Sequence, residues 1–450
     1  MRGKYGTSMP CQSQHHWNRR TLLTAGLQAG VTTAAATSLS WLTPLATKLA
    51  HAQELAPDSH TPAKSVILLW MQGGPSQRDT FDPKPQANES YSGGVTSIKT
   101  SAKDVKIAET LPLMAEQMHH LSLVRSVVSR EGDHARGVYN VKTGFRPDPT
   151  LVHPSIGAVM CHQLTDDLEI PRHISMLTTN NPARGGYLGD SFDAFQVGDP
   201  QQPVPDVSAR VDVERDEKRR SDLFGVVERE FARGRLRNLD EKKTLHQLSM
   251  QRAVRMMASS QLEAFSLKDV SQTKQDRFGD TSFGRACLAA TQLIQVGVRC
   301  VEITLGGWDS HINNTSAQAS RTKIMDAAMS SLLAELFETG LLESTIVVWG
   351  GEFGRTPWLN STNGRDHWPH GFTIALGGGG IQGGRVIGET NPEPDRDVKD
   401  KNADVVDRHE VEDIHATVFK ALGIDYEQEM MTPVGRPMVV AQGNAINELF

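Results

Sequence analysis

Three apolar runs in the sequence are each followed by a pair of glycines. They cover residues 66–71, 298–305 and 346–349. Largely apolar runs of this length that stop at glycine predict strands buried on both faces of a sheet. Helical patterns separate the runs, and strands alternating with helices predict an α/β fold. We therefore expect a mostly parallel sheet with helices on both faces.

The segments between these runs carry apolar residues at helical spacing. One pattern includes Phe283, Cys287 and Ile294, and a second continues from Met325 to Gly340. A further strand is predicted at 372–376. The carboxyl ends of parallel strands lie at one edge of a sheet, so the glycine loops should meet there. We expect the functional site at that edge.

Composition limits the classes of partner and of covalent framework. The chain has 450 residues, 38% of them hydrophobic, and a formal net charge of -6 without long blocks of one sign. This charge pattern gives no electrostatic footprint for a nucleic acid. Beyond the first 52 residues the cysteines are Cys161, Cys287 and Cys300, too few for a disulfide framework. We expect Cys287 and Cys300 to be buried as small apolar residues.

The first 52 residues have the composition of a targeting segment. Arg19 and Arg20 precede Thr21-Leu22-Leu23 and a weakly apolar stretch, as in a twin-arginine signal, and Ala50-His51-Ala52 offers a cleavage site. We expect export by the twin-arginine machinery to the periplasm, the cell envelope or the medium. An uncleaved signal anchor stays open as an alternative; no other segment is apolar enough to span a membrane.

The rest of the chain divides into three predicted parts. Residues 53–63 form a polar linker, and 64–450 form the α/β domain. Within that domain, about 206–268 is charged and has no strand pattern, which predicts a helical insertion or cap.

Two groups of carboxylate and imidazole side chains follow the predicted strands. Asp309 and His311 come directly after the second run, and Asp366, His367 and His370 come after the third. Carboxylate with imidazole suits zinc, manganese or iron, while the oxygen-rich share leaves magnesium or calcium open. The alternative for each residue alone is a loop side chain that caps backbone groups.

Arginines and tryptophans accompany the same loops. Arg355 lies near Glu352, and Arg365 precedes Asp366. Either arginine is a structural ion-pair partner or a bidentate donor to an anionic substrate group. Trp308 is a candidate for stacking on a sugar ring, with packing as the alternative.

With these residues in view, the chain resembles the exported bacterial family called domain of unknown function 1501. That family resembles alkaline phosphatases, sulfatases and cofactor-independent phosphoglycerate mutases. The resemblance covers most of the mature chain and rests on four motifs: Gln72-Gly73-Gly74-Pro75-Ser76, Gly306-Gly307-Trp308-Asp309-Ser310-His311, Gly350-Gly351-Glu352-Phe353-Gly354-Arg355-Thr356-Pro357 and Gly364-Arg365-Asp366-His367-Trp368-Pro369.

The resemblance implies metal ligands at strand ends and a nucleophile that attacks phosphorus or sulfur, but this chain departs from that scheme. Gln72 stands where an Asp ligand is expected, which leaves Asp79 as a carboxylate farther along. His134 stands where sulfatases carry a modified Cys, and Glu352-Phe353 replaces an Asp-His pair. A modified-cysteine mechanism is therefore not expected.

The ligands that carry over are Asp309, His311 and one of His367 or His370, with Glu352 as a substitute oxygen ligand. This set implies a divalent metal (zinc, manganese, calcium or magnesium) and metal-assisted hydrolysis of phosphate or sulfate esters of small molecules or carbohydrates.

The remaining candidates have catalytic or substrate-binding roles in this scheme. His134 is a general acid, a ligand or a nucleophile, and Ser76 is a reserve nucleophile. Arg355 balances charge, while Arg365 and Trp308 contact the substrate. The alternative function is a non-catalytic envelope or polysaccharide-binding protein on the same scaffold.

Overall fold

The computed structural model describes residues 61–165, 168–178, 181–204, 218, 222 and 253–450. Within them it has one large central sheet and four two-stranded sheets. The strands are β1 Ser65–Met71, β2 Ser97–Lys99, β3 Lys106–Ala108, β4 Ser122–Val128, β5 His173–Met176, β6 Phe195–Val197, β7 Cys300–Leu305, β8 Thr345–Gly350, β9 Gly354–Arg355, β10 His367–Trp368, β11 His370–Gly377, β12 Val386–Ile387, β13 Glu389–Thr390, β14 Val405–Val406, β15 His409–Glu410, β16 Glu429–Met431 and β17 Pro437–Val439. The α-helices are α1 Glu89–Ser92, α2 Pro112–Gln117, α3 His134–Thr143, α4 Ile156–Gln163, α5 Gln272–Arg277, α6 Ser282–Gln295, α7 Asn314–Glu338 and α8 Val411–Ala421.

The predicted signal, residues 1–52, lies outside the described residues, as do linker residues 53–60 and most of the predicted insertion. Within 206–268, residues 253–258 are helical and Ser260–Phe265 form a 3-10 helix. No helix in the described part of the chain is both long and apolar enough to cross a membrane.

The sheet confirms the predicted α/β fold. Its strand order is β12-β4-β11-β8-β1-β7-β5-β6, and β15 also pairs with β4. The three apolar runs are neighbours, because β1 pairs in parallel with both β7 and β8. Strand β11 confirms the predicted strand at 372–376 and is antiparallel to β4 and β8. The sheet is therefore mostly parallel.

Each face of the sheet has its own apolar core. Ile67 and Leu69 of β1 pack with residues of α2, α6 and α7 such as Leu332. Val66 of the same strand packs on the other side with residues of α4 and α8 such as Phe419. This alternation along one strand places helices on both faces, as predicted. Cys161, Cys287 and Cys300 are buried.

Strand β4 was missed because polar residues interrupt its apolar run. Ser122 donates to the Gln382 carbonyl at 2.6 Å, and Arg125 donates to the Phe81 carbonyl at 2.6 Å. These hydrogen bonds, with Asp82 Oδ1 at 3.3 Å from Arg125 Nε, compensate for the burial of the two side chains, so a buried strand tolerates them.

Helix α3 follows β4 and begins at a capped position. The Asp133 carboxylate accepts from the amides of Ala135 and Arg136, as an N-cap residue does. The helix ends at Gly144, whose φ of 71° is the left-handed conformation that suits glycine. His134 is consequently the first residue of the helix.

A buried ion pair joins α3 to the middle of β7. Lys142 Nζ lies 2.8 Å from Glu302 Oε1, and side-chain exposures are 5% and 2%. Ser175 also donates to this oxygen at 3.0 Å. Removing one partner of such a pair leaves the other charge uncompensated.

We expect Lys142→Met to lower the free energy of unfolding by about 3–5 kcal/mol, because Glu302 is then a buried, unpaired carboxylate. The double variant Lys142→Met/Glu302→Leu should recover most of that loss, since both charges are gone. Urea unfolding of the three proteins measures this. A single-variant loss no larger than that of the double variant would contradict it.

His415 of α8 gives the fold a defined pH dependence. Its ring is buried under Gly144, its Nε2 donates to the Val141 carbonyl at 2.8 Å, and burial lowers its pKa to about 4. In the unfolded chain this imidazole has a pKa of ~6.5, so below that pH it binds a proton that the folded protein does not bind. Stability from this group is thus full above that pH and declines as the pH falls towards 4.

His415→Gln, which retains a donor for the Val141 carbonyl, should remove this component. Between pH 7.5 and pH 5 we expect the wild type to lose about 2 kcal/mol more unfolding free energy than the variant. Urea titrations at both pH values test it, and equal losses in the two proteins would refute the assignment.

Candidate metal centre

The loops after β1, β7 and β8 meet at one edge of the sheet, as predicted. The Trp308 amide donates to the Gln72 carbonyl at 3.2 Å. A Cβ on Gly73, whose φ is 114°, would lie 2.5 Å from the Asp309 amide nitrogen. A Cβ on Gly351 would lie 2.5 Å from the Pro75 ring. Glycine is required because the loop backbones approach this closely.

Three imidazoles surround the Asp309 carboxylate at this edge. His311 Nε2 lies 3.0 Å and His367 Nε2 lies 3.5 Å from Asp309 Oδ1. The two Nε2 atoms are 3.1 Å apart. His134 Nε2 lies 3.4 Å from the other oxygen, Oδ2. The structure therefore brings together four side chains from three separate segments of the chain.

The Nδ1 atom of each imidazole already has an acceptor. His134 Nδ1 lies 2.9 Å from Glu352 Oε1, and His311 Nδ1 lies 2.7 Å from Asp366 Oδ1. His367 Nδ1 lies 2.9 Å from the Gly132 carbonyl. Donation from Nδ1 leaves the lone pair on Nε2, which is the arrangement of metal-ligating histidines.

This donor set fits a divalent cation. Two Nε2 lone pairs at 3.1 Å cannot hydrogen-bond to each other, whereas a shared cation satisfies both. Ligand atoms about 2.0–2.2 Å from a tetrahedral zinc ion are roughly 3.3–3.6 Å apart, close to the separations here. One ligand atom each from His134, Asp309 and His367 also lies within 4.8 Å of the others.

Protonation at the cluster is uneven. The hydrogen bond to Glu352 raises the pKa of His134, with the Asp309 charge adding to it. Burial raises the pKa of Asp309, but the hydrogen bond and charge of Arg355 outweigh it and the net direction is down. Burial lowers the pKa of His367. Asp309 is therefore an anion and His367 a neutral imidazole near neutral pH.

Glu352 lies behind His134. Its side chain is 1% exposed, and Oε1 accepts from the Gly73 amide at 2.8 Å as well as from His134. Its Oε2 is buried without a hydrogen-bond partner among the described residues. The structure thus makes Glu352 the residue that orients His134.

Asp366 has the same relation to His311. Its Oδ1 accepts from His311 Nδ1 and, at 3.3 Å, from Asn360 Nδ2. Asn360 also donates to the His311 carbonyl at 3.0 Å. Asp366 is therefore a backing residue for a cluster imidazole.

Arg355 is fully buried beneath the cluster. Its Nη2 donates to Asp309 Oδ1 at 2.6 Å and to the Gly73 carbonyl. Its Nε donates to the Gly74 carbonyl at 3.0 Å, and its Nη1 donates to the Arg365 carbonyl at 3.0 Å. All three nitrogens are used within the protein, so Arg355 positions Asp309.

Four predicted site residues lie away from the cluster. Ser76 is buried and its hydroxyl donates to Asp79, which also accepts from Asn314 at 2.8 Å. Trp308 is fully buried, where it cannot stack on a ligand.

The other two are Arg365 and His370. Arg365 is fully buried and donates to the carbonyls of Thr356 and Pro357 at 2.9 and 2.6 Å. His370 Nδ1 lies 2.7 Å from Asn402 Oδ1. The structure therefore selects His367 over His370 as the histidine of the last loop.

Sequence reasoning missed three contributors to the centre. The Gly132 carbonyl has no sequence signal, and Asn360 lies in an unremarkable polar loop. The Phe353 ring lies 4.4 Å from the His367 ring and 5.2 Å from the His134 ring, centroid to centroid. Its position next to Glu352 was the available signal.

Comparison with solved structures gives distant similarities. The PsFucS1 sulfatase from Pseudoalteromonas sp. is 11% identical with a TM-score of 0.38, covering 85% of this chain and 71% of that one. Alkaline phosphatase from the Antarctic bacterium TAB5 is 13% identical with a TM-score of 0.34, covering 81% and 99%. The lipoteichoic acid synthase LtaP from Listeria monocytogenes is 10% identical with a TM-score of 0.36, covering 84% and 78%.

Comparison by sequence identifies the family. None of the curated proteins matches the chain. The family described as "Protein of unknown function (DUF1501)" matches residues 63–450. This match covers the sheet, its helices and every residue of the cluster, and the chain belongs to that family.

Proposed function

We propose that this protein is an exported, metal-dependent hydrolase of phosphate or sulfate esters. The observation that carries the proposal is the close approach of Asp309, His311 and His367. The Nδ1 atoms of the two histidines are hydrogen-bonded to Asp366 and to the Gly132 carbonyl. Such engagement fixes the tautomer that a metal requires. Three protein ligands leave a coordination position open, as in catalytic sites.

The donor set favours some cations over others. Two imidazoles and one carboxylate suit zinc or manganese, whereas calcium and magnesium prefer all-oxygen sets. A divalent ion of this kind supplies Lewis-acid chemistry, withdrawing electron density from an ester oxygen and making water a better nucleophile.

His134, in its doubly protonated form, can donate the Nε2 proton to the leaving oxygen. Glu352 holds its Nδ1, and its Nε2 lies beside Asp309 Oδ2, on the oxygen opposite the two ligating imidazoles. Its side chain is 39% exposed, so a substrate can reach it. General acids of this kind contribute about 10²–10⁴-fold to rate.

Asp309 and Arg355 complete the charge balance. The buried guanidinium fixes one carboxylate oxygen of Asp309 at 2.6 Å and offsets its charge. The Asp309 carboxylate is therefore already oriented before the reaction begins. This lowers the reorganisation needed when charge develops on the ester.

Export and substrate class rest on the sequence. The twin-arginine pattern supports passage of the folded, metal-loaded protein to the periplasm, cell envelope or medium, with the twin-arginine machinery as partner. Substrates would be small-molecule or carbohydrate esters. A binding protein without catalysis is the second candidate, favoured by the burial of Ser76, which removes the reserve nucleophile.

We expect the purified protein to hold about one divalent ion per chain, because all the candidate ligands share the Asp309 carboxylate in one cluster. Asp309→Ala, His311→Ala and His367→Ala should each lose it, whereas His370→Ala should retain it because His370 bonds Asn402 instead. Elemental analysis after gel filtration measures the stoichiometry. Metal-free wild type, or equal loss in the His370 variant, would refute the centre.

His134→Gln should leave the metal content unchanged and lower turnover of 4-nitrophenyl phosphate or sulfate by about 10²–10⁴-fold. Steady-state assays of the metal-loaded proteins test this, with His370→Ala as the matched control. Loss of metal in His134→Gln would show that His134 is a ligand. Metal-loaded wild type that binds these esters without turnover would instead establish the binding protein.

A further inference from the structure

Glu131 is a buried carboxylate shared by two arginines. It lies in the loop between β4 and α3, and its side chain is 2% exposed. Arg136 donates to it through Nε and Nη2, at 2.5 and 3.1 Å. Arg146 donates through Nε at 2.6 Å. We call Arg136 and Arg146 the arginine pair and Glu131 its anchor.

The two guanidinium groups keep free hydrogen-bond donors, although the charges of Glu131 and Asp133 both act on Arg136. Two guanidinium groups face one carboxylate, and the nearby Asp133 carboxylate is turned to the helix amides of Ala135 and Arg136. The arginine side chains are 56% and 49% exposed. Within the described residues, Arg136 Nη1 and both Nη atoms of Arg146 have no hydrogen-bond partner. Donors therefore remain for a ligand.

The anchor removes part of the cost of binding. A surface arginine normally loses side-chain entropy when it grips an anion. Glu131 is buried and holds each guanidinium through Nε, so the free Nη atoms are already directed. Planar guanidinium groups in fixed positions suit the paired oxygens of sulfate and phosphate.

The group lies close to the metal centre. Gly132, the residue after Glu131, accepts the hydrogen bond from His367 Nδ1. Only two residues separate Glu131 from His134, so their Cα atoms are at most roughly 11 Å apart. A substrate held at the metal centre can therefore place a second group near the arginines.

We propose that Arg136 and Arg146 form a subsite for a second anionic group of the substrate. The substrate would then be a multiply sulfated or multiply phosphorylated molecule, such as a saccharide with an anion on the unit next to the scissile ester. This inference rests on the proposed function for the identity of the reacting site. The subsite itself is defined by binding alone.

The test is calorimetric binding of matched probes. One pair is a disaccharide with two sulfate groups and its monosulfated counterpart, and the other is a sugar bisphosphate and the monophosphate. The wild type should bind the doubly charged member at least about 10-fold more tightly, since hydrogen bonds to charged groups contribute that much. The pair that shows the larger ratio identifies sulfate or phosphate.

Arg136→Gln and Arg146→Gln should each lower this ratio by about 10-fold or remove it. Glutamine retains a donor towards Glu131, and the other arginine retains the charge, so both variants should fold with a similar Tm. Arg136→Lys should recover part of the ratio. Arg277→Gln is the control, because Arg277 is 42% exposed and pairs with Glu338.

Equal affinity of the wild type for both members of each pair would overturn the subsite. An unchanged ratio in the Arg136 and Arg146 glutamine variants would do the same and would leave them as structural ion pairs. Repeating the titrations with Asp309→Ala separates this result from the proposed function. With inorganic sulfate or phosphate as the probe, this variant should still bind the anion, and adding Arg136→Gln should weaken that binding by about 10-fold, even if metal binding and hydrolysis are absent.

Discussion

The Arg355 guanidinium is the contact on which the geometry of the metal centre depends. It is fully buried and reaches the carbonyls of Gly73 and Gly74, the carbonyl of Arg365 and the carboxylate of Asp309. These groups belong to the loops after β1 and β7 and to the segment before β10. One planar cation therefore fixes three separate parts of the chain, and its charge is offset by Asp309 alone among them.

A buried cation of this kind also explains why the loops are rich in glycine. Carbonyl oxygens from the first loop can converge on Arg355 only where the backbone folds back on itself with positive φ, as at Gly73 and Gly74. A side chain at Gly73 would collide with the Asp309 amide. The Gly-Gly pairs are thus part of the site, since they allow Asp309 and Glu352, which follow the two strands on either side of β1, to come within reach of His134.

The sequence was sufficient for the fold, but it indicated only part of the cluster and not the roles within it. The apolar runs predicted β1, β7 and β8 because those strands are buried on both faces, whereas Ser122 and Arg125 hid β4. Asp309, His311 and His367 were predicted from their places after strands. Burial was not predictable, so Arg365 was assigned to the substrate and Arg355 to charge balance in the reaction, although their donors are used by backbone carbonyls and, for Arg355, by Asp309.

Burial was also not predictable for Glu352, and the place of this side chain in the structure shows how the site differs from an oxygen-rich one. A carboxylate after a strand predicts a metal ligand, yet this one is enclosed and shares a single oxygen between the Gly73 amide and His134. Its charge therefore acts on an imidazole and through it on the cluster. With Asp366 acting likewise on His311, two of the three carboxylates near the centre orient histidines. Nitrogen donors then dominate what a cation meets, which is why the geometry favours zinc or manganese over calcium.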